Sequence, residues 1–441
     1  MGILGWYTAS PLKKAWQLYQ QQQWSGARQW ASQAVERSPQ PEAYYLLGLI
    51  AEQQRDPLEA KMAYERAIAL NPWYAPAHYR LAIVLHDVLQ QPAAALPHYQ
   101  RALEVRPEWV EAHSNLGNAY LDLGETEQAI ACYQKALSLN PDLPTTLYNL
   151  GLCLHSQGKL TEASACYEQS LYLEAGQADV HNNLGSVYLA LKHYEAAVHH
   201  FQAALSTNPE LLTAHYNLGY ALQLQGKLAA ARDRYQEVLL RDSRHPQALL
   251  QLGEIYLQEA DFATAMSYYQ RCLSLDPLNS TAQAGLATAL LEIGEPQTAL
   301  HHFRQAVALA PDVAEVRLSF ALVLLLLGHF QEGWEEYEWR WQQSTGGLRT
   351  YPQPRWQGQS LEGKTLFVYS EQGLGDCIQF VRLLPLIARR AQRVMFAAYP
   401  PLVRLCQMLP GIDVISTEET PPPFDYHTPL LSLPRYLGID K

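Results

Sequence analysis

Small residues recur along this chain at a spacing that calls for a stack of near-identical structural units. Ala15, Gly48, Ala82, Gly117, Gly151, Gly185, Gly219, Gly253, Ala287 and Ala321 are separated by 33, 34, 35 and then six gaps of 34 residues. Twelve residues beyond most of them stands a second small residue: Ala60, Ala129, Ala163, Ala197, Ala231, Ala265 and Ala299. Four further on comes a ring: Tyr64, Tyr133, Tyr167, Phe201, Tyr235, Tyr269, Phe303 and Tyr337. A period of this length suits a pair of helices. Small residues let the two helices approach, and the ring fills the space beside them. Gly124, Gly158, Gly226, Gly294 and Gly328 fall between the helices, where a left-handed residue ends the first one. Asn71-Pro72, Asn140-Pro141, Asn208-Pro209 and Asp276-Pro277 then close the second helix. No such hairpin buries its apolar face alone, so neighbours must stack. We therefore expect a mostly α protein, a superhelical solenoid of about ten hairpins over residues 8–341. Two local bends are expected. The third repeat carries one extra residue around 92–107, with Tyr99 one place late, and the fifth has Ala175-Gly176 where a proline would stand.

This pattern resembles the tetratricopeptide repeat, whose first helices line a concave groove. Asn115, Asn149, Asn183 and Asn217 stand two residues before the core glycine in four consecutive repeats, which makes a row along that face. Gln251 continues the row more weakly, and Ser319 ends it. A carboxamide both donates and accepts, so it can pair with a peptide backbone without selecting a side chain. Similar rows occur in the repeats of O-linked N-acetylglucosamine transferases, where they hold substrate polypeptides. The alternative is that each asparagine bonds only to the neighbouring helix; four uninterrupted copies favour the groove. His78, His113, His181 and His215 form a second row two residues earlier. Adjacent stacked helices lie about 8–10 Å apart, too far to share one ion, so these read as packing residues. His199-His200 and His301-His302 read as surface residues.

Composition narrows the partners. With 32 basic and 43 acidic side chains the net charge is −11, and no basic run interrupts it, so nucleic acid is set aside. Lys13 and Lys14 follow the N-terminal apolar patch instead of preceding it, the wrong order for a secretory signal. Phe320 to Leu327 is too short to span a membrane. Six scattered cysteines without a C-x-x-C pair give neither a disulfide framework nor a zinc site, so we expect reduced thiols in a cytoplasmic protein. No metal and no cofactor is expected.

After Trp341 the period stops. Residues 342–363 read as a linker, and residues 364–441 as a small α/β segment. Strands are expected at 365–369, 393–398, 413–416 and 424–428, alternating with helices, hence a parallel Rossmann-like sheet with a crevice at the strand ends. Gly373-Leu-Gly375-Asp376 lies where the first strand feeds a helix, a place where glycines let a backbone approach a ligand. Alone, the motif lacks the third glycine of a dinucleotide fingerprint, and Asp376 reads as a helix cap before a base.

A wider string of residues adds to it: Gly333-Trp-Glu-Glu-Tyr-Glu-Trp-Arg-Trp341, Pro354-Arg-Trp356, Glu371-Gln-Gly-Leu-Gly-Asp376, Leu409-Pro-Gly-Ile-Asp413 and Phe424-Asp-Tyr-His427. Together they resemble bacterial proteins in which tetratricopeptide repeats precede a heptosyltransferase-like glycosyltransferase domain of the GT-B fold. The resemblance implies Asp376 as catalytic base on an acceptor hydroxyl. Such enzymes bind the sugar nucleotide mainly in a second Rossmann-like half, and this chain reaches Lys441 with part of the first. Cys377 stands where the family often has threonine. The expected function is a scaffold that binds protein partners in the groove and carries a truncated glycosyltransferase-like tail. The alternative is a fragment of a glycosyltransferase, for which a nucleotide sugar would be the donor. A third reading makes the tail a cap for the last repeat.

Overall fold

The computed structural model describes residues 10–342 and 351–439. The chain divides into two compact units, residues 1–234 and 235–441. Among the described residues ten helical hairpins follow one another, from Pro11–Gln20 with Trp24–Arg37 to Ala314–Leu326 with Phe330–Tyr337. None of these helices is long and apolar enough to cross a membrane.

The small-residue period is a packing device. A Cβ placed on Gly48 would lie 2.4 Å from the Tyr64 ring, and one on Gly151 2.5 Å from the Tyr167 ring. Each ring therefore occupies the volume that the glycine vacates on the facing helix, and both tyrosines are fully buried. The turn after each first helix takes the left-handed conformation expected of it. Gly226 has φ +75°, and Ala260 holds φ +60° at the equivalent place eight hairpins into the array.

The extra residue of the third repeat is present, but not where it was expected. The second helix, Pro92–Val105, has 14 residues like its counterparts Pro57–Leu70 and Thr126–Leu139. The insertion lies in the preceding first helix, where Val84–Val88 is wound as a π-helix and Leu89 N–H reaches Val84 O at 3.0 Å. A π turn absorbs one residue inside a helix without disturbing either end, which is why Tyr99 comes one place late yet still packs in the core. In the fifth hairpin Gly176, at φ +83°, turns the chain without a proline.

In residues 235–441 the hairpins lead into a four-stranded parallel sheet of β1 (Thr365–Tyr369), β2 (Arg393–Ala398), β3 (Asp413–Ser416) and β4 (Tyr426–Pro429), in the order β3-β2-β1-β4. Val368 of β1 pairs with Phe396 of β2 and with Thr428 of β4. β4 starts later than expected because Phe424 leaves the strand and stacks on Phe367 at 5.0 Å, covering one face of the sheet. The other face, through Leu366 and Val368, shares a core with Ala321 and Tyr337 of the last hairpin. Part of the stretch read as a linker is packed there too. Trp356 is 2% exposed, its backbone N–H bonds His427 O at 2.8 Å, and Arg355 forms a parallel bridge with His427 beside β4.

Candidate functional site

In residues 1–234 the first helices of consecutive hairpins pack against one another as well as against their own partners. Val110–Asp122 meets Pro144–Ser156, which meets Ala178–Ala190, which meets Leu212–Leu224. The four asparagines lie along this seam. Each is half-buried, and each donates through Nδ2 to the preceding first helix. Asn115 donates to Tyr79 Oη and Asn183 to Tyr148 Oη, both at 3.1 Å. Asn149 donates to Asn118 Oδ1 at 2.9 Å, and Asn217 donates to Asn182 Oδ1 at 3.1 Å. Asn118 Oδ1 also accepts from the Tyr133 hydroxyl at 2.8 Å, so the row is tied into the buried rings. The bond to the neighbouring helix is thus made at every rung. At Asn115, Asn149 and Asn183 it uses one of the two N–H groups, while Asn217 Nδ2 also reaches Ser186 Oγ at 3.5 Å. Burial, with Glu111 nearby, pushes the Tyr79 hydroxyl up to about 12, and burial with Asp179 nearby raises that of Tyr148. Both phenols therefore stay protonated and available as partners.

The histidine row does more than pack. His78, His113 and His215 each aim Nε2 at the carbonyl of the proline six residues earlier, at 3.1, 2.9 and 2.9 Å from Pro72, Pro107 and Pro209. A carbonyl only accepts, so Nε2 carries the hydrogen and each ring clasps the turn between repeats. His181 follows the turn without a proline, and its Nδ1 meets His200 Nδ1 at 3.1 Å. His78 Nδ1 meets His98 Nδ1 at 2.9 Å in the same way, and Gln283 Oε1 meets His302 at 2.7 Å. His200 and His302 are therefore half-buried partners of a first helix, which corrects their reading as surface residues. The repeat period does not reveal these pairs, because each joins a first helix to the second helix of the same hairpin, 19 or 20 residues on. Among the described residues no group of three or more His, Cys, Asp or Glu side chains is arranged to hold a metal ion.

In the tail, Asp376 lies in the first turn of the short helix Leu374–Phe380, where its Oδ2 accepts from Gly373 N at 3.2 Å. That is the capping role. Gly373 has φ −82°, so the backbone does not demand glycine there, but a Cβ on it would stand 3.3 Å from Asp376 Oδ2; one on Gly375 would meet nothing within 4 Å. The concentration of charge lies one turn away and was not anticipated. Arg340 donates to Glu371 Oε1 at 2.9 Å and Oε2 at 3.3 Å, and to Ser432 Oγ at 2.9 Å. Glu338 accepts from Arg340 at 2.9 Å, from Ser432 at 2.7 Å and from Arg355 at 2.5 Å. This buried network joins the end of the last hairpin to the C-terminal ends of β1 and β4, the place where strand order reverses.

Comparison with known proteins bears on the repeats. Models described as tetratricopeptide repeat match residues 41–72, 142–210, 212–237, 225–280 and 285–338, and one described as TPR repeat matches 89–124 and 117–158. A curated relative, Protein FlbA of Caulobacter vibrioides, is 45% identical over 56 residues, which is 12% of this chain and 9% of that protein. The chain thus matches about a tenth of that relative's length. Among solved structures, YrrB, a TPR protein with an unusual peptide-binding site, is 24% identical over 42% of this chain and 95% of its own, with a TM-score of 0.39. PilF of Pseudomonas aeruginosa is 24% identical over 48% of this chain and 96% of its own, with a TM-score of 0.43. Yeast Tom70 is 15% identical over 75% of this chain and 91% of its own, with a TM-score of 0.36. From about residue 40 to 340, this chain is a tetratricopeptide-repeat protein.

Proposed function

We propose that the protein is an interaction scaffold that holds an extended segment of a partner polypeptide along the first-helix face. One observation carries this reading. Asn115, Asn149, Asn183 and Asn217 are half-buried, one per repeat, and each is oriented by a bond to the repeat before it. Each amide keeps hydrogen-bonding capacity on its exposed side, at a spacing set by the stacking of helices. A peptide backbone offers donors and acceptors that such a row can satisfy whatever its side chains. A photo-crosslinker in place of Leu152, one helical step from Asn149, should capture a bound polypeptide. One in place of Glu162 on the second helix should not. Equal capture from both positions would remove the groove from the account.

The glycosyltransferase-like tail remains a second reading. It is supported by the resemblance and by the order β3-β2-β1-β4, which is that of the first four strands of a doubly wound sheet, its switch point included. In this reading Asp376 gives up its bond to Gly373 to act as base, and a nucleotide sugar is the donor. Turnover of a sugar nucleotide that vanishes in Asp376→Asn would favour it; no binding and no turnover would leave the scaffold.

A further inference from the structure

We propose that the segment held along the first helices between residues 41 and 224 is cationic, an extended stretch of polypeptide bearing lysine or arginine side chains. This rests on the groove reading above and adds the chemistry of its occupant.

The first helices of this span carry six carboxylates, Glu42, Glu52, Asp87, Glu111, Asp122 and Asp179, and one guanidinium, Arg80. Arg80 is already taken: its Nε donates to Glu52 Oε1 at 3.1 Å and its Nη2 to Glu52 Oε2. Asp87 and Asp122 meet His86, at 3.2 and 2.8 Å, and are otherwise exposed. Glu42, Glu111 and Asp179 are exposed, and among the described residues no lysine or arginine pairs with them. These first helices therefore carry carboxylates in excess; Arg106, in the turn before Val110–Asp122, brings one cation near Tyr45 and Tyr74 and lies over the Trp109 ring at 5.2 Å.

These charges flank the asparagine row. Glu111 and Asp87 lie close enough to Tyr79, and Asp179 to Tyr148, to act on their hydroxyls, and those phenols anchor Asn115 and Asn183. Helix stability accounts for only part of the pattern. Glu42, Glu111 and Asp179 sit in first turns, where the helix dipole favours a carboxylate. Asp122 closes Val110–Asp122, and Asp87 lies in the last turn of its helix, where the same dipole opposes them. A cationic occupant explains both ends. Half-buried Tyr79 and Tyr148 add ring faces for an alkylammonium or guanidinium group. A phosphorylated or acidic segment would instead be repelled.

The test uses the full chain and three labelled peptides on one glycine–serine frame, carrying lysine, glutamine or glutamate at every third position. The lysine peptide should bind tightest and the glutamate peptide not at all. Raising salt from low to physiological and above should weaken the lysine peptide about tenfold. Glu111→Gln with Asp179→Asn should weaken the lysine peptide about five-fold and leave the glutamine peptide unchanged. Glu162→Gln with Glu195→Gln, on second helices, should change neither. Equal affinity for all three peptides overturns the cationic occupant and leaves the groove standing, as does an equal loss in the second-helix variant. Failure of every peptide to bind removes both.

Discussion

Asn149 donates to Oδ1 of Asn118 at 2.9 Å across the seam between two consecutive first helices. The bond turns a surface amide into a fixed one. Its counterparts at Asn115 and Asn183 use a tyrosine hydroxyl 36 and 35 residues back, whereas the partner of Asn149 lies 31 back, so each rung is fixed by a bond to the helix before it but not by the same partner. A binding row needs this property, because side chains that must be ordered on binding lose conformational entropy for each contact made.

Adding one methyl group at a ring–glycine contact should loosen two helices at once. In Gly151→Ala the new Cβ would stand 2.5 Å from the buried Tyr167 ring. We expect hydrogen-exchange protection across residues 144–173 to fall by about 1–3 kcal/mol. The gain in helix propensity, about 1 kcal/mol, offsets only part of this.

The left-handed turn positions predict an opposite pair of effects. Ala260→Gly should stabilise its hairpin by about 0.5–1 kcal/mol, since Ala260 holds φ +60°. Gly226→Ala should destabilise by a similar amount, although nothing lies within 4 Å of the added Cβ. Local exchange rates around each turn read both changes.

Stability should fall on mild acidification because of the histidine pairs. Burial, and then the neighbouring His78, lower His98 to about 4; burial, His181 and His199 lower His200 to about 4, opposed by Glu168. Both values lie below the ordinary 6.5, so the unfolded chain takes up these protons first. The stabilisation is complete above pH 6.5 and is lost as pH falls toward 4. His98→Gln should flatten the slope of thermal stability between these limits, and an unchanged slope would contradict the assignment.

The ion network at the tail should be costly to break and cheap to replace. Arg340 is 6% exposed and Glu371 is 9% exposed. Arg340→Ala should destabilise β1 and the last hairpin by about 3–5 kcal/mol, because Glu371 is left buried without its partner. Arg340→Met with Glu371→Leu should recover most of that loss. Exchange protection of the β1 amides, measured through a double-mutant cycle, separates the two outcomes.

How much of this was legible depended on the distance over which residues act. The hairpins, the asparagine row and the strands of the tail are periodic or local, and Gly151 with Tyr167 or Thr365 to Tyr369 announces them directly. Counting the period detected one extra residue but placed it around 92–107, because an insertion anywhere between Ala82 and Tyr99 gives the same spacing; hydrogen bonding puts it at Val84–Val88. Two partners of Arg340, Glu371 and Ser432, lie 31 and 92 residues away, beyond any local signal. Asp376 was read both as a cap and as a base, and in the folded chain its Oδ2 accepts from Gly373 N at 3.2 Å.

The central claim is that the oriented amides hold a partner backbone, and Asn149→Ala with Asn183→Ala tests it most directly. Fluorescence anisotropy of the labelled lysine peptide should show about a tenfold loss of affinity, about 1.4 kcal/mol. The thermal unfolding midpoint should barely move, since both side chains are only half-buried. Unchanged affinity in a variant that unfolds at the normal temperature would contradict the account.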